Sequence, residues 1–286
     1  MPDTILPKIS VVTPSFNQAK YLEETIDSIL SQKYPNLEYI IMDGGSTDGS
    51  VEIIKKYSDH LVHWESNPDG GQYEAIQKGF ARSHGEIMAY LNSDDLYFPW
   101  TLKAVAEIFT KFPQVDWLMT ANIVKTPHDH HLNFGNQIYN RSQRWFLSKR
   151  GSNGFVPQES TFWRRTLWEK AGSNIDANLQ YAGDMELWSR FYKYANPTLV
   201  DVPLGIYRYH QGQKTASLEK YLAEAKTIFS KFSKPVWIPR FAIQVLNFIY
   251  RKIDGRKNWL GARCDKIFYL PAQNDWSFKK YLEWRD

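Results

Sequence analysis

Apolar residues in the first hundred positions alternate between short continuous runs and longer runs at helical spacing. The continuous runs, each typical of a buried strand, lie at residues 9–12, 39–42, 61–65 and 87–91. The runs with apolar residues three and four positions apart predict helices at residues 22–32, 51–54 and 72–83. Apolar strands that alternate with helices indicate an α/β fold with a mostly parallel sheet, Rossmann-like and covered by helices on both faces.

The pattern is less regular in the second half of the chain. Helices are predicted at residues 96–109 and 183–194, strands at 115–124 and 199–209, and loops around short elements at 125–157. From about residue 216 the chain becomes basic and aromatic. We therefore expect one α/β domain over residues 1–215 and a helical extension over residues 216–286.

Composition places few further limits on the chain. The 286 residues are 43% hydrophobic, which is enough for one sizeable domain and an extension. The formal net charge of +4 suits a partner that carries phosphates and does not require nucleic acid. A single cysteine, Cys264, excludes an internal disulfide and favours a reducing compartment. The N-terminal residues lack the pattern of a signal peptide, and the ten apolar-rich residues at 241–250 are too few to span a bilayer. We expect a cytoplasmic protein.

Polar residues follow the predicted strands where ligands of such sheets bind. The first strand runs into Pro14 and a loop without the glycines that would cradle a pyrophosphate. A cation held by carboxylates could neutralise a diphosphate instead, and the pair Asp94 and Asp95 after the fourth strand would suit it. This pair could equally cap the following helix. Asp43 after the second strand could bind a ribose or base, or simply form a turn.

Two further positions are candidates for chemistry. Asp184 begins a predicted helix, where a carboxylate beside apolar residues could act as a general base or could cap the helix. Glu186 is two positions further on and points elsewhere, so a surface role is favoured for it. His210 ends a predicted strand and could bind a metal or a phosphate, although a lone histidine is more often structural.

Four segments in this order and spacing resemble glycosyltransferase family 2, which has the GT-A fold. They are residues 11–17, 43–50, 91–95 and 183–188. The resemblance covers roughly residues 7–212. Two positions depart from the pattern of many members: Gly44 stands where those have aspartate, and Gly183 where they have glutamate.

The resemblance implies an inverting, single-displacement transfer of a sugar from a nucleotide-sugar, most often a UDP-sugar, to a carbohydrate hydroxyl, with Mn²⁺ or Mg²⁺. It implies a nucleotide-sugar half over about residues 1–100 and an acceptor half over about 101–215, with Asp184 as the base. The donor-binding residues would be Thr13, Pro14, Asp43, Asp69, Gln72 and Asp94. The metal ligands would be Asp94, Asp95 and His210. On the acceptor side would lie Gln158, Glu159, Glu186 and Trp188.

The basic extension bears on where the acceptor is met. Residues 231–266 contain nine Lys or Arg and two Asp, a net charge of +7, and residues 241–253 are apolar around most of a helix. The segment could pack on the catalytic domain, or residues 231–268 could contact the inner face of a membrane and a lipid-linked acceptor of surface polysaccharide synthesis. Two other functions stay open: a sugar nucleotidyltransferase, and a non-catalytic carbohydrate- or nucleotide-binding protein.

Overall fold

The computed structural model describes residues 6–120, 122–126, 133–137, 156–210, 213, 218–232 and 265–280. Its strands are β1 (Ile9–Ser15), β2 (Leu37–Asp43), β3 (His63–Ser66), β4 (Ile87–Tyr90), β5 (Leu96–Tyr97), β6 (Trp117–Thr120), β7 (Asn122–Thr126), β8 (Asn133–Gln137), β9 (Thr161–Arg164), β10 (Thr198–Val200), β11 (Gly205–Arg208), β12 (Lys266–Leu270) and β13 (Asp275–Lys279). The α-helices are α1 (Ala19–Leu30), α2 (Ser50–Lys56), α3 (Gln72–Ala81), α4 (Thr101–Lys111), α5 (Arg165–Lys170), α6 (Gly183–Phe191) and α7 (Leu218–Phe232).

The main sheet has nine strands in the order β13-β12-β10-β6-β9-β4-β1-β2-β3. β1 pairs in parallel with β2 on one side and with β4 on the other, and β3 extends the sheet in parallel beyond β2. β9 runs antiparallel to β4 and β6, and β13 runs antiparallel to β12. The mostly parallel sheet that the apolar runs predicted is confirmed.

Helices cover both faces of this sheet. Successive residues of each strand point to opposite faces, so each strand contributes to two separate apolar cores. Val12 belongs to a core that also holds residues of α3, α5 and α6, whereas its neighbour Val11 belongs to a core with residues of α1 and α4. All seven side chains of β1 are buried, which accounts for its continuous apolar pattern. Because β1, β2, β3 and β4 run in parallel, their carboxyl ends lie at the same edge of the sheet.

A smaller sheet, in the order β5-β11-β7-β8, lies beyond that edge. It corrects two predictions. The helix expected over 96–109 begins only at Thr101, because Pro99 disfavours a helical residue before it and Leu96–Tyr97 pair with β11. The strand expected over 199–209 is two strands, β10 and β11, which lie in different sheets and are separated by a segment containing Pro203.

The described end of the chain adds two strands to the main sheet and is not purely helical. α7 is helical as expected, but β12 and β13 form a hairpin that adds to the main sheet through β10. Lys111 of α4 contacts the Asp275 carboxylate at 2.5 Å, and the Trp276 indole N–H donates to Glu107 at 2.8 Å. Most of the basic segment 231–268 lies outside the described residues, and none of the described helices is long and apolar enough to cross a membrane.

Candidate functional site

The carboxyl end of β2 holds a buried carboxylate that organises the loop after it. Asp43 is 2% exposed, and its Oδ1 accepts hydrogen bonds from the backbone N–H of Gly45 at 3.1 Å and of Ser46 at 2.8 Å. The Ser46 hydroxyl donates to Oδ2 at 2.6 Å, and the Ser66 hydroxyl at the end of β3 donates to Oδ1 at 2.7 Å. Asp43 thus fixes the turn at this edge of the sheet, and a direct contact with a nucleotide stays a prediction.

The loops after β1 and β2 are tied to each other. The backbone N–H of Asn17 donates to the Ser46 hydroxyl at 2.7 Å, and the Asn17 side chain accepts from the Thr47 N–H at 3.0 Å. Asn17 takes a left-handed backbone conformation with φ 52°, which asparagine tolerates better than most residues. This leaves the neighbouring Phe16 ring 60% exposed at the rim. We call these joined loops one wall of the candidate cleft at the carboxyl edge of the sheet.

Thr13 and Pro14 lie below this wall. Both are buried, and the Thr13 hydroxyl is 3.1 Å from the Tyr39 hydroxyl inside the sheet. The Thr13 side chain is therefore committed to the core, and a contact with a donor from this position would fall to the backbone. The sequence alone did not show whether the side chain or the backbone of Thr13 would contact the donor.

Asp69 faces the wall from the loop before α3. A Cβ atom built on Gly44 would lie 3.2 Å from Asp69 Oδ1 and 3.3 Å from the Phe16 ring, so glycine at position 44 leaves room for these neighbours. Burial is the main cause that raises the pKa of Asp69, and the charges of Glu74 and Asp43 raise it further, while the Gly71 N–H at 2.8 Å and Lys78 lower it. A carboxylate with a raised pKa at a rim is suited to accept a hydrogen bond from a ligand.

Asp94 and His210 meet at the opposite wall. His210 Nε2 is 2.9 Å from Asp94 Oδ2, although the two residues are 116 positions apart in the sequence. The His210 side chain is only 5% exposed, and the Asp94 side chain is 15% exposed. The His210 ring stacks on Tyr21 of α1 with ring centroids 4.3 Å apart, which fixes its orientation. The predicted grouping of Asp94 with His210 is present in the structure.

Asp95 lies differently from its neighbour. It is 1% exposed, and its Oδ1 accepts the Arg208 backbone N–H at 2.9 Å. The Asn92 amide donates to its Oδ2 at 3.3 Å. Burial, the Asp94 charge and the Glu159 charge together raise the pKa of Asp95 well above its ordinary value. The Asp95 oxygens thus brace β11 against the 92–95 loop, and a contact of Asp95 with a metal stays a prediction.

Asp184 begins α6 on the acceptor half, as predicted, and its carboxylate is half-buried. Burial raises its pKa to about 6, with a smaller contribution from the charge of Glu224. The hydrogen bond from the Met185 N–H, at 2.7 Å, and the nearby Tyr73 hydroxyl lower the pKa and so work in the opposite direction. The carboxylate is therefore ionised near neutral pH and still basic enough to take a proton.

The start of α3 connects the two groups. The Gln72 side chain donates to the Asn92 side chain at 2.7 Å, beside the loop that carries Asp94. The next residue, Tyr73, donates its hydroxyl to the Tyr181 carbonyl at 3.0 Å and contacts the Asp184 carboxylate. Two consecutive residues thus link the Asp94 loop to the helix of the candidate base.

Two of the four predicted acceptor-side residues have structural roles. Trp188 is 2% exposed and stacks on Trp117 with centroids 5.5 Å apart, so the prediction that it faces the acceptor is corrected. Its helical position places it on the inward face of α6 with Leu187. Glu186 is paired with Arg190 one turn later, with Oε2 2.8 Å from Nη2, and its side chain is only 15% exposed, so it is a half-buried ion-pair member and not the surface residue that its spacing favoured.

Gln158 and Glu159 lie between β4 and β11. The Gln158 amide donates to the Tyr90 carbonyl at 2.5 Å, at the end of β4. Glu159 is 2% exposed, and its backbone carbonyl packs so closely on Gly205 that no side chain would fit there. Both residues support the floor of the cleft, and contact with an acceptor stays a prediction.

Three residues of the cleft escaped the sequence analysis. Tyr21, Tyr73 and Asn92 read as members of helical or turn patterns, and only the fold brings them to the histidine, the base and the acidic loop. Within the described residues, no group of three or more His, Cys, Asp or Glu side chains is arranged to hold a metal ion. The Asp94 carboxylate and the His210 imidazole contact each other, and binding of a metal by Asp94, Asp95 or His210 stays a prediction.

Comparison with known proteins gives a consistent picture at the level of sequence. The family described as "Glycosyl transferase family 2" has a model that matches residues 10–169. An uncharacterized glycosyltransferase of Rickettsia typhi is 27% identical over 238 residues, covering 81% of this chain and 73% of that protein. TuaG of Bacillus subtilis, named for teichuronic acid biosynthesis, is 40% identical over 94 residues, which is 31% of this chain and 36% of TuaG.

Solved structures with the same fold are also glycosyltransferases. Residues 1–349 of Staphylococcus aureus TarS, in complex with UDP-GlcNAc, align with a TM-score of 0.63 and 19% identity over 87% of this chain and 74% of that one. A mannosyltransferase of Pyrobaculum calidifontis, in complex with GDP-Man and Mn²⁺, aligns with a TM-score of 0.58 and 19% identity over 88% of this chain and 71% of that one. At this identity the likeness establishes the fold, which is the GT-A arrangement.

Proposed function

The chain belongs to glycosyl transferase family 2, and from that premise we propose that it is an inverting, metal-dependent transferase that moves a sugar from a UDP-sugar to a hydroxyl of a carbohydrate acceptor. The observation that carries the proposal is the link that the start of α3 makes between the loop of the Asp94–His210 contact and the helix of Asp184, a candidate base whose pKa is raised to about 6.

The donor would lie along the carboxyl edge of β1 and β2. Asp43 holds the turn there, Phe16 is an exposed ring, and the Asp69 carboxylate faces the same space. These features support binding of a base and ribose by the edge of the sheet. The UDP assignment draws on TarS, whose complex contains UDP-GlcNAc. Since the mannosyltransferase complex contains GDP-Man, the identity of the nucleotide base in the donor has to be tested directly.

A divalent cation fits the residues opposite. Carboxylate oxygen and imidazole nitrogen together suit Mn²⁺ better than Mg²⁺, which prefers oxygen. Asp94 and His210 would hold the ion, and Asp95 would keep the 92–95 loop in place from behind. When bound, such an ion stabilises negative charge on the leaving diphosphate. The stacked Tyr21 ring keeps the imidazole oriented towards Asp94.

The chain's own chemistry centres on one proton. Asp184 accepts the proton of the acceptor hydroxyl while the hydroxyl oxygen forms a bond to the anomeric carbon. The bond from that carbon to the phosphate oxygen breaks, and the electron pair leaves with the nucleoside diphosphate. One displacement from the opposite face inverts the anomeric carbon. A base with a pKa near 6 is available for this step at neutral pH.

A donor screen tests this proposal. Nucleotide release from UDP-, GDP- and dTDP-sugars would be measured with Mn²⁺, with Mg²⁺ and after treatment with EDTA. We expect release from a UDP-sugar that depends on the cation and increases when a carbohydrate acceptor is added. A chain that binds UDP but never turns over any donor would instead support the non-catalytic function, and incorporation of a nucleotide from UTP would support a nucleotidyltransferase.

We also propose that the acceptor belongs to surface polysaccharide synthesis and is linked to lipid. TuaG carries a teichuronic acid name, and the basic segment of net charge +7 at 231–266 would suit an anionic membrane surface. The wild-type chain and a full-length variant with Arg251, Lys252, Arg256 and Lys257 replaced by Gln would be sedimented with neutral and anionic vesicles. Binding of the wild type alone, and only to anionic vesicles at low salt, is the expected result. No binding by the full chain would mean that the acceptor is met away from the membrane.

A further inference from the structure

The N-terminus of α6 is capped by a residue from another helix. The residue before α6, Ala182, offers no side-chain acceptor, and helix starts leave backbone N–H groups without partners. Glu224 of α7 fills this role. Its Oε1 accepts the Gln180 N–H at 3.0 Å, and its Oε2 accepts the N–H groups of Tyr181 at 2.8 Å and Ala182 at 2.9 Å. One carboxylate thus receives three backbone hydrogen bonds from consecutive residues.

The segment that Glu224 holds lies against the donor half of the cleft. The Gln180 side chain donates to the Gly70 carbonyl at 3.2 Å, and the Tyr73 hydroxyl donates to the Tyr181 carbonyl. Gly183 packs on the Tyr73 ring so closely that a Cβ atom would lie 2.8 Å from it. Residues 180–183 therefore form a strap between α3 and α7, and the candidate base follows the strap directly.

α7, which carries Glu224, is anchored in the hydrophobic core. Ala225 and Ile228 are 3% and 2% exposed and belong to the core beneath α6, and Tyr221 packs against the same core. The Glu224 side chain is half-buried next to them. Position 224 lies beyond residues 10–169, which match the family model. The support for the strap therefore comes from a part of the chain outside the matched region.

We propose that Glu224 is a positioning residue for the transfer reaction: by fixing residues 180–182 it sets where the Asp184 carboxylate meets the acceptor hydroxyl. This rests on the proposed role of Asp184 as the base. Ionised carboxylates bind backbone N–H groups more strongly than neutral acceptors do, and the positive end of the α6 dipole adds to the attraction. A misplacement of about 1 Å at a base can cost about 10²-fold in rate.

Glu224 also contributes charge. The titratable groups that face Asp184 are Tyr73 from α3, Tyr90 from β4, and Tyr221 and Glu224 from α7. The pKa of each of the three tyrosines is raised by burial, so they are neutral through the range in which a carboxylate titrates. Glu224 is the charged member of this set, and its charge raises the pKa of Asp184.

The test compares Glu224→Ala and Glu224→Gln with Glu219→Gln, which removes the same charge from an exposed position on α7. Hydrogen exchange of the amides of residues 180–182 would be measured first, since it needs no substrate. Exchange should accelerate in Glu224→Ala and less in Glu224→Gln, whose one carbonyl oxygen can still accept, and it should not change in Glu219→Gln. Circular dichroism would establish that each variant is folded.

Steady-state kinetics then test the role in transfer. Glu224→Ala should lower kcat about 10- to 100-fold, with Glu224→Gln intermediate and donor binding by calorimetry unchanged. The acid limb of the pH profile of kcat/KM should move to lower pH in Glu224→Gln and should not move in Glu219→Gln. Wild-type kcat and an unmoved limb in both Glu224 variants would overturn the proposal. If the wild-type chain transfers no sugar, the proposed function fails, while the exchange measurement still tests the strap.

Discussion

The raised pKa of Asp184 predicts an unusual acid limb in the pH dependence of transfer. Burial moves its pKa from 3.8 to about 6, and a base acts only when it is deprotonated. With a pKa of about 6, the ionised fraction at pH 5 is about one tenth, so kcat/KM should fall to about a tenth of its plateau there. An ordinary aspartate, with a pKa of about 3.9, would leave more than about nine tenths of the activity at the same pH.

Removing one hydroxyl group should shift the position of this acid limb on the pH axis. The Tyr73 hydroxyl, which donates to the Tyr181 carbonyl, lies close enough to the Asp184 carboxylate to lower its pKa, so Tyr73→Phe should move the limb to higher pH. Tyr57→Phe is a matched control, because its hydroxyl donates to Asp27 at the surface. The assay is initial-rate nucleotide release from pH 4.5 to 8.5 at constant ionic strength, with enzyme stability checked at each pH.

Two results would refute this reasoning. Activity that stays on its plateau down to pH 5 would mean that the group which loses its proton has an ordinary carboxylate pKa and is not Asp184 in this environment. A limb near pH 6 that persists in Asp184→Asn would assign it to some other group. Either result would remove the main chemical support for the base.

Further predictions test the base, the cation pair and the core. Asp184→Asn should lower transfer by about 10²–10⁴-fold with donor affinity by calorimetry unchanged. Because a carboxylate with a raised folded pKa destabilises the fold increasingly as pH rises from about 4 to above 6, the same variant should have a higher Tm than wild type at pH 8 and an equal Tm at pH 4, by thermal shift. Asp94→Asn should raise the Mn²⁺ concentration needed for half-maximal activity more than Asp95→Asn does; the reverse order would make Asp95 the ligand. Trp188→Ala should cost about 3–5 kcal/mol of stability in urea unfolding, because it removes a buried ring from a cluster of tryptophans, and a cost below about 1 kcal/mol would place Trp188 at the surface.

The sequence predicted the parts of the fold in which one residue pattern has one structural meaning. β1, β2 and β4 are buried on both faces, so their apolar runs identified them without tertiary information. The hairpin of β12 and β13 was missed because both strands are only five residues long and follow a basic, aromatic segment for which helix was predicted. The pairing of β12 with β10, more than sixty residues away, gives no local signal.

The same contrast holds for the cleft. Asp43, Asp94 and Asp184 could be found as candidates because each ends or follows a strand or begins a helix, where ligands of such sheets bind, although an aspartate there can also form a turn or a cap. The opposite roles of Asp94 and Asp95 could not be predicted, since they depend on which side chain meets β11 and which meets His210. Glu224 was beyond reach for a similar reason: it reads as a helix-surface glutamate, and only the fold brings it to residues 180–182.

The stereochemistry of the product tests the central claim most directly. A UDP-sugar of known anomeric configuration would be incubated with the wild-type chain, Mn²⁺ and a carbohydrate acceptor, and the new linkage would be read from the anomeric proton by NMR at early times. A single displacement driven by Asp184 predicts a product of inverted configuration that is absent with Asp184→Asn. A product of retained configuration, or an inverted product formed equally well by Asp184→Asn, would contradict the account.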